Sequence, residues 1–385
     1  MFSRITLVGF GLLASSMAAA LKQSKLQVAI RAVSSPATLK RAQELGLADE
    51  FFGYDETEKW VDDSDLILLC APILHILKSI EAMAGVVVKG RGDGAARKIL
   101  VSDIGSTKVE ICKAGAKLPE PFVFVGSHPM AGSEKRTLEY NDPSIFENAY
   151  WFVCPPDGVE ELDYAPLLEL VHFLGASPVV FPPEHHDRTM AWVSHMPQLL
   201  SSTLAANLPE RLLKYNYQHY AGRAFRDMTR IAASGWNMWH DIYATNRTET
   251  TKALTEVRDG LNQTIAAIQE LEPVSNGKPA PQDNCEKLEN IFRAGNDGRA
   301  SLFAPGRNAA SEFHEITVPL KDVPGALLSV MEPLANEGVN IRDIELMKVR
   351  ENIAGTLLLA FKKEEEAAKA VAILKKLDYD VVVRK

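Results

Sequence analysis

The chain opens on an apolar, β-rich run from Ile5 to Val8 that empties at once into Gly9-Phe-Gly-Leu-Leu-Ala14, and the periodicity that follows predicts a helix over 15–22. Strand signals recur over 26–32 and 65–69, from Lys98 onward, and over 122–125, 150–154 and 178–181; helical patterns fall between them over 36–45, 109–114 and 162–174. Such alternation predicts an α/β, Rossmann-like sheet with helices packed on it. From His185 the pattern changes to long helical stretches, with almost no strand signal until about residue 313. The first boundary is therefore placed near Pro183. An amphipathic helix is expected over 247–271, then a Pro/Gly/Asn-rich linker and a charged helix over 285–299. Helices of this kind commonly pair with a second copy, so a homodimer is expected. After a linker over 304–310, strand and helix patterns over 313–320, 325–337, 344–349, 356–362, 364–377 and 379–383 give the order βαββαβ, which is ferredoxin-like. Three units follow: a nucleotide-binding unit at 1–183, an all-α unit at 184–303 and a ferredoxin-like unit at 312–385.

Composition narrows the class of partner. Hydrophobic content of 46% supports real cores, while the 50 acidic and 42 basic residues leave a net charge of -8 with no long basic run. Nucleic acid and anionic membranes are disfavoured, and a small molecule is the better partner. Cys70, Cys112, Cys154 and Cys285 lie far apart without a C-x-x-C pair. Reduced thiols in a cytoplasmic protein are expected, with neither a disulfide framework nor a metal site. Arg4, the apolar run over 5–13 and the small residues after it imitate a secretory signal, but no stretch reaches the length a membrane span needs.

Candidate chemistry begins at the first turn. Gly9 suits a tight turn, Gly11 allows backbone to approach a pyrophosphate at the helix N-terminus, Leu12 and Leu13 lie in the same turn beside the cofactor, and Ala14 permits close helix–strand packing. The site is read as one for NAD or NADP. The second strand ends without the acid that binds the ribose hydroxyls of NAD, and Arg31, Ser34 and Ser35 stand where a 2′-phosphate would be met, which leans the reading to NADP. Cys70 and Pro72, at the tip of the third strand, are expected over the cofactor, as is Asp103 at the end of the next.

His128 lies in Gly126-Ser-His-Pro129, where proline is expected to stop the strand and leave the imidazole at its C-terminal tip. That edge is where ligands bind in open α/β sheets, and an imidazole there can hold or take a proton; the alternative is a turn histidine facing water. Ser106, in a Gly-Ser-Thr turn, falls at the same edge unless it merely caps a helix. Asp187 and His195 are eight residues apart, about two helical turns on nearly the same face, with Gln198 one turn further. They line a site or are satisfied core residues. Arg226 and Arg230, followed by Trp236 and Trp239, suit fork-like binding of a carboxylate, the alternative being an internal ion pair.

Taken together, Gly9-Phe-Gly-Leu-Leu-Ala-Ser-Ser16, Asp103-Ile-Gly-Ser-Thr-Lys108, Gly126-Ser-His-Pro-Met-Ala-Gly-Ser-Glu134, Ser194-His-Met-Pro197 and Thr229-Arg-Ile-Ala232 resemble the TyrA family of prephenate and arogenate dehydrogenases over the whole chain. The resemblance implies oxidative decarboxylation of prephenate or arogenate, with hydride passing to nicotinamide. It further implies that His128 is the catalytic histidine and Ser106 the serine that orients it. Arg230 would clamp a substrate carboxylate, Glu134 and Asp187 would gate or brace the pocket, and His195 would line it. Ala14 departs from the family's usual third glycine, and Gln198 from a histidine common near the substrate side chain. Asp322-Val-Pro-Gly325 and Gly338-Val-Asn-Ile341 match loop signatures of the ACT domain, so Asp322, Gly325, Asn340 and Ile341 are expected to hold an amino acid, tyrosine first, unless the unit only dimerises. The rival from another class is a sensor that kept the fold and lost the chemistry.

Overall fold

The computed structural model describes residues 2–88, 98–132, 135, 137–208, 214–215, 220–271, 285–303, 314–320, 323–347 and 355–383. Both expected linkers, at 272–284 and 304–310, lie outside them, as do Glu134 and Asp322. The chain divides into two compact units, Met1–Leu261 and Asn262–Lys385.

The first unit is built on an eight-stranded sheet of order β3-β2-β1-β4-β5-β6-β7-β8. Its strands are β1 (Arg4–Val8), β2 (Ala29–Val33), β3 (Glu50–Phe52), β4 (Leu66–Leu69), β5 (Ile99–Asp103), β6 (Phe122–Pro129), β7 (Tyr150–Cys154) and β8 (Ser177–Val180). All pairs from β3 to β6 are parallel, β7 runs antiparallel to β6, and β8 is parallel to β7. The residues that imitate a signal sequence form β1, an interior strand of the sheet, and α1 (Leu12–Gln23).

Central strands covered on both faces need unbroken apolar runs, and β4 is buried along its whole length. Helices α1, α2 (Pro36–Glu44), α3 (Thr57–Val61), α4 (Ile73–Ala84), α5 (Val109–Gly115) and α6 (Glu161–Phe173) supply the covering layers. One face buries Met17, Ala18 and Leu21 of α1 with Trp151, Leu167 and Leu170; the other buries Ile73, Ile76, Ile80 and Met83 of α4 with Trp60, Ile111 and Phe124. The α4 residues recur at helical spacing, and each fully buried side chain contributes about 1.5–3 kcal/mol before ordering entropy is counted.

β6 runs four residues beyond the apolar run 122–125 and ends at Pro129, where proline was expected to stop it. Met130 donates to the Tyr150 carbonyl at 2.8 Å, whereas the Ser127 N–H points the other way, to Asp103 Oδ1 at 3.1 Å. By alternation the N–H that Pro129 lacks would face the β5 side, where the ladder has already ended at Ser102 and Val125. His128 is thus the penultimate residue of β6, at the C-terminal end of the strand as expected, and is paired opposite Phe152 of β7.

The sheet is followed by α7 (Pro183–Met190), a π-helical turn at Ala191–His195, and α8 (Met196–Ala206), and then by α9 (Arg223–Thr229), a 3-10 turn at Arg230–Ala233, α10 (Trp236–Thr245) and α11 (Arg247–Gln269). These helices, α11 only as far as Leu261, belong to the first unit together with the sheet. The Thr107 and Thr245 hydroxyls are 2.8 Å apart, Leu74 N–H donates to Asp241 Oδ2 at 3.3 Å, and Ile242 joins the core around α4.

In the second unit α12 (Glu286–Phe303) precedes a four-stranded antiparallel sheet of order β10-β11-β9-β12, formed by β9 (His314–Leu320), β10 (Asp343–Met347), β11 (Gly355–Phe361) and β12 (Val382–Val383). With α13 (Ala326–Asn336) and α14 (Glu364–Lys376) the order is βαββαβ, over a core of Ile316, Val318, Val330, Leu334, Leu357, Leu359 and Leu374. Among the described residues no helix is long and apolar enough to cross a membrane.

Candidate active site

The β1–α1 turn fits a dinucleotide phosphate. Gly9 has φ +95°, and a Cβ there would stand 2.7 Å from the Ala71 backbone nitrogen, so glycine is required both by conformation and by the close pass of the loop after β4. Gly11 caps α1 without a side-chain bond, and the first turn holds no acid, so its N–H groups are open to an anion. Leu12 is buried beneath the turn and Leu13 half-buried beside it. Pro72 caps α4, and burial pushes the Cys70 thiol up, which makes it an inert neighbour rather than a reactive one.

Two cofactor expectations are corrected. Arg31 does not await a phosphate: it lies mid-strand between Thr6 and Glu50, its Nε 3.1 Å from Glu50 Oε2 and its Nη1 bonded to the Asp62 carbonyl. Glu50 begins β3, so this side chain runs back toward the opposite edge of the sheet from the Gly9 turn. Ser34 is buried, and Ser35 caps α2, accepting from Thr38 N–H at 3.5 Å. Asp103 is likewise not a cofactor ligand. It is fully buried, pairs with the fully buried Lys108 ammonium, and accepts from Gly105 N–H at 2.7 Å and Ser127 N–H at 3.1 Å. Lys108 also donates to the Ser127 carbonyl at 2.7 Å. The pair thereby stitches the turn bearing Ser106 to the strand bearing His128. Burial pushes the Asp103 carboxyl up, and Lys108 pulls against it. Ser106 itself is half-buried and makes no hydrogen bond among the described residues.

His128 Nδ1 lies 2.9 Å from His186 Nε2, and His186 Nδ1 lies 2.8 Å from Asp187 Oδ1. Asp187 also accepts the N–H groups of Lys108 at 2.6 Å and Val109 at 3.0 Å, at the start of α5. Burial holds His128 well below the usual histidine range, helped by the fields of His186, Lys108 and His195, so the ring is neutral at pH 7.

His195 is also buried. Asn246 donates from Nδ2 to the Asp187 carbonyl at 2.7 Å, which fixes its amide orientation and makes its 3.2 Å contact with His195 Nδ1 a donation. The neutral His195 ring therefore carries its proton on Nε2, and burial lowers it to about 4. Trp239 packs edge-on to it at 6.2 Å and stacks on Tyr243 at 5.5 Å. The π-turn between Asp187 and His195 changes the helical phase expected from eight-residue spacing, and Asn246 bridges the two residues.

Arg230 is exposed at the turn after α9, and among the described residues no carboxylate pairs with it. Gln198 is corrected from a ligand contact to a brace. Its Nε2 donates to the Ile231 carbonyl at 2.9 Å and to Ser202 Oγ at 3.2 Å, and its Oε1 accepts from Ser234 Oγ at 3.3 Å, holding the Arg230 turn. Lys108, His186 and Asn246 were missed by sequence reasoning. The His185-His186-Asp187 run and the Asp103–Lys108 motif were the available signals.

Residues 17–180 match the family profile "Prephenate dehydrogenase, nucleotide-binding domain", and residues 182–291 match "Prephenate dehydrogenase, dimerization domain". The chain is 27% identical to a prephenate dehydrogenase of Bacillus subtilis over 95% of its own length and 94% of the relative's. It is 28% identical to a prephenate dehydrogenase of Lactococcus lactis over 98% and 99% of the two chains. The solved prephenate dehydrogenase of Aquifex aeolicus, in complex with hydroxyphenyl propionate and NAD+, has the same fold at a TM-score of 0.65 and 24% identity, over 78% of this chain and 99% of that one. With both family profiles matched in order, and relatives aligned over nearly its full length, the chain belongs to the prephenate dehydrogenase family of nicotinamide-dependent oxidoreductases.

Proposed function

We propose that the protein oxidatively decarboxylates prephenate to 4-hydroxyphenylpyruvate in tyrosine biosynthesis, with NAD or NADP as acceptor. The observation that carries the reading is His128: a neutral imidazole, tied through His186 to Asp187, just beyond the parallel part of a sheet whose first turn fits a dinucleotide. Bound nicotinamide supplies the hydride acceptor. His128 accepts the proton of the substrate hydroxyl as the ring carbon that bears it becomes carbonyl-like. The ring carboxylate leaves as carbon dioxide, and aromatisation provides the driving force. Arg230 holds a substrate carboxylate, Ser106 orients the hydroxyl–imidazole pair, and His195 offers an Nε2–H donor to the same pocket. Asp187 braces it.

Purified protein supplied with prephenate or arogenate, each with NAD and NADP, tests the reading through nicotinamide absorbance. Prephenate is expected to be turned over; turnover of arogenate alone would favour the alternative substrate, which differs by an alanyl in place of a pyruvyl side chain. With Arg31 committed elsewhere, a lean to NADP rests only on Ser34, Ser35 and the absence of an acid after β2. Inactivity with all four combinations would leave the non-catalytic sensor.

The depressed His128 pKa sets the acid limb. A base whose folded pKa lies below the free value near 6.5 stays active until the pH falls through that lower value. The log kcat/KM profile should therefore remain flat through pH 6.5 and bend only in more acidic solution; a bend at or above 6.5 would contradict the burial argument. For Arg230→Ala, loss of a charge-assisted contact worth about 1.5–3 kcal/mol should raise the prephenate KM about 10- to 100-fold with kcat nearly unchanged. Lost thermal stability with an unchanged KM would instead make Arg230 structural.

The dimerisation profile and the exposed apolar positions Leu261, Ile265 and Ile268, spaced along one side of α11, support a homodimer. The last unit is proposed to be an ACT-like tyrosine sensor. Gly325 has φ +85°, and it opens α13 with a left-handed turn; Asn340 is exposed, whereas Ile341 packs on the core of the unit. Tyrosine should inhibit the full chain, and truncation near Pro305 should abolish that inhibition. A tenfold effect requires about 1.4 kcal/mol of preference between conformations. Equal inhibition of both proteins would place the tyrosine site in the catalytic pocket.

A further inference from the structure

We infer that His186 is a positioning residue which, anchored by Asp187, fixes His128 in the tautomer that leaves the Nε2 lone pair free to take the substrate proton. The inference rests on the base role proposed for His128. It starts from Asp187, which faces three N–H donors: Lys108 at 2.6 Å, Val109 at 3.0 Å and His186 Nδ1 at 2.8 Å. A carboxylate is an acceptor only, and the two backbone donors cannot be reversed, so the ionised form satisfies the group and places the His186 proton on Nδ1. A neutral His186 then has a bare Nε2. Its 2.9 Å partner, His128 Nδ1, must be the donor, and the remaining nitrogen of His128 carries no proton.

The competing arrangement would make His186 an imidazolium donating to His128 Nδ1, with the His128 proton on Nε2. His186 is wholly buried, and burial together with the Lys108 charge lowers it to about 3, which disfavours that state. Phe152 limits rearrangement, standing edge-on to His186 at 5.3 Å and tilted to His128 at 6.5 Å. Isolated imidazole does not impose this tautomer on itself. The preference comes from a chain that begins at backbone N–H groups of α5 and ends at the proposed base.

The test compares His186→Leu, which removes the acceptor, with His186→Gln, whose Oε1 can stand where Nε2 stood. Loss of such an orienting partner commonly costs about 10- to 100-fold in activity, and that fall in kcat is expected for the leucine variant with the cofactor KM unchanged. The glutamine variant should recover most of it. Nitrogen NMR of histidine-labelled protein should show His128 protonated on Nδ1 in the wild type and the glutamine variant, and not in the leucine variant. Unchanged kcat in His186→Leu would overturn the inference, as would equal losses in both variants with the Nδ1–H signal intact. If the wild type turns over neither prephenate nor arogenate, the base reading fails separately, and the spectrum still decides the tautomer: a wild-type His128 protonated on Nε2 overturns the inference.

Discussion

His128→Asn is expected to lower kcat for prephenate about 10²-fold to 10⁴-fold, the usual size of a general-base loss, with little change in cofactor KM. Asparagine can still offer an N–H toward His186, so the buried chain to Asp187 keeps a donor and the packing around Phe152 changes little. What disappears is a group basic enough to accept the hydroxyl proton. The cofactor turn is formed by Gly9 and Gly11 between β1 and α1, and β4 and β5 separate β1 from β6 in the sheet order, so its affinity should not follow. Steady-state kinetics with each substrate varied separates the two effects. An unchanged kcat would remove His128 from the chemistry.

Lys108→Met is expected to cost about 3–5 kcal/mol of stability, because removing one partner of a buried pair leaves the other charge uncompensated. Both side chains of the Lys108–Asp103 pair are fully buried, and the Ser127 carbonyl loses a 2.7 Å donor as well. Asp103 cannot be traded for an apolar residue in compensation, since it also accepts two backbone N–H groups. The cost should depend on pH with a definite sign. In the variant, Asp103 loses the ammonium that pulls its pKa down, so its folded pKa rises further above the unfolded value. The folded variant then binds a proton that the unfolded chain releases, and the deficit relative to wild type shrinks as the pH falls. Urea denaturation at neutral and at mildly acidic pH measures this. A difference from wild type near zero at neutral pH would mean that the pair does not hold the Ser106 and His128 segments together.

Much of the fold could be read in the sequence because its signals are local. The strand into Gly9-Phe-Gly11, the alternation of strand and helix to about residue 181 and the βαββαβ order of the tail all lie within short windows. What escaped depends on partners distant in sequence. Pro129 ends β6 as expected, but pairing with β7 extends up to it because its missing N–H faces a side without a neighbour, a matter of register that the residue type does not reveal. Arg31 occupies the expected strand, but the direction of its side chain is decided by Glu50 and Asp62, which lie 19 and 31 residues away. Gln198 was placed at the substrate by its position on the helix, whereas the Ile231–Ser234 turn takes its amide. His186 was visible as one of a histidine pair, yet its role appears only where α7 brings it against β6, 58 residues from His128.

The most direct measurement uses prephenate carrying deuterium on the ring carbon that bears the hydroxyl. The account predicts that the label appears on the reduced nicotinamide, with carbon dioxide and 4-hydroxyphenylpyruvate formed in equal amounts. Retention of the label in unchanged prephenate, or carbon dioxide release without reduction of the cofactor, would contradict it.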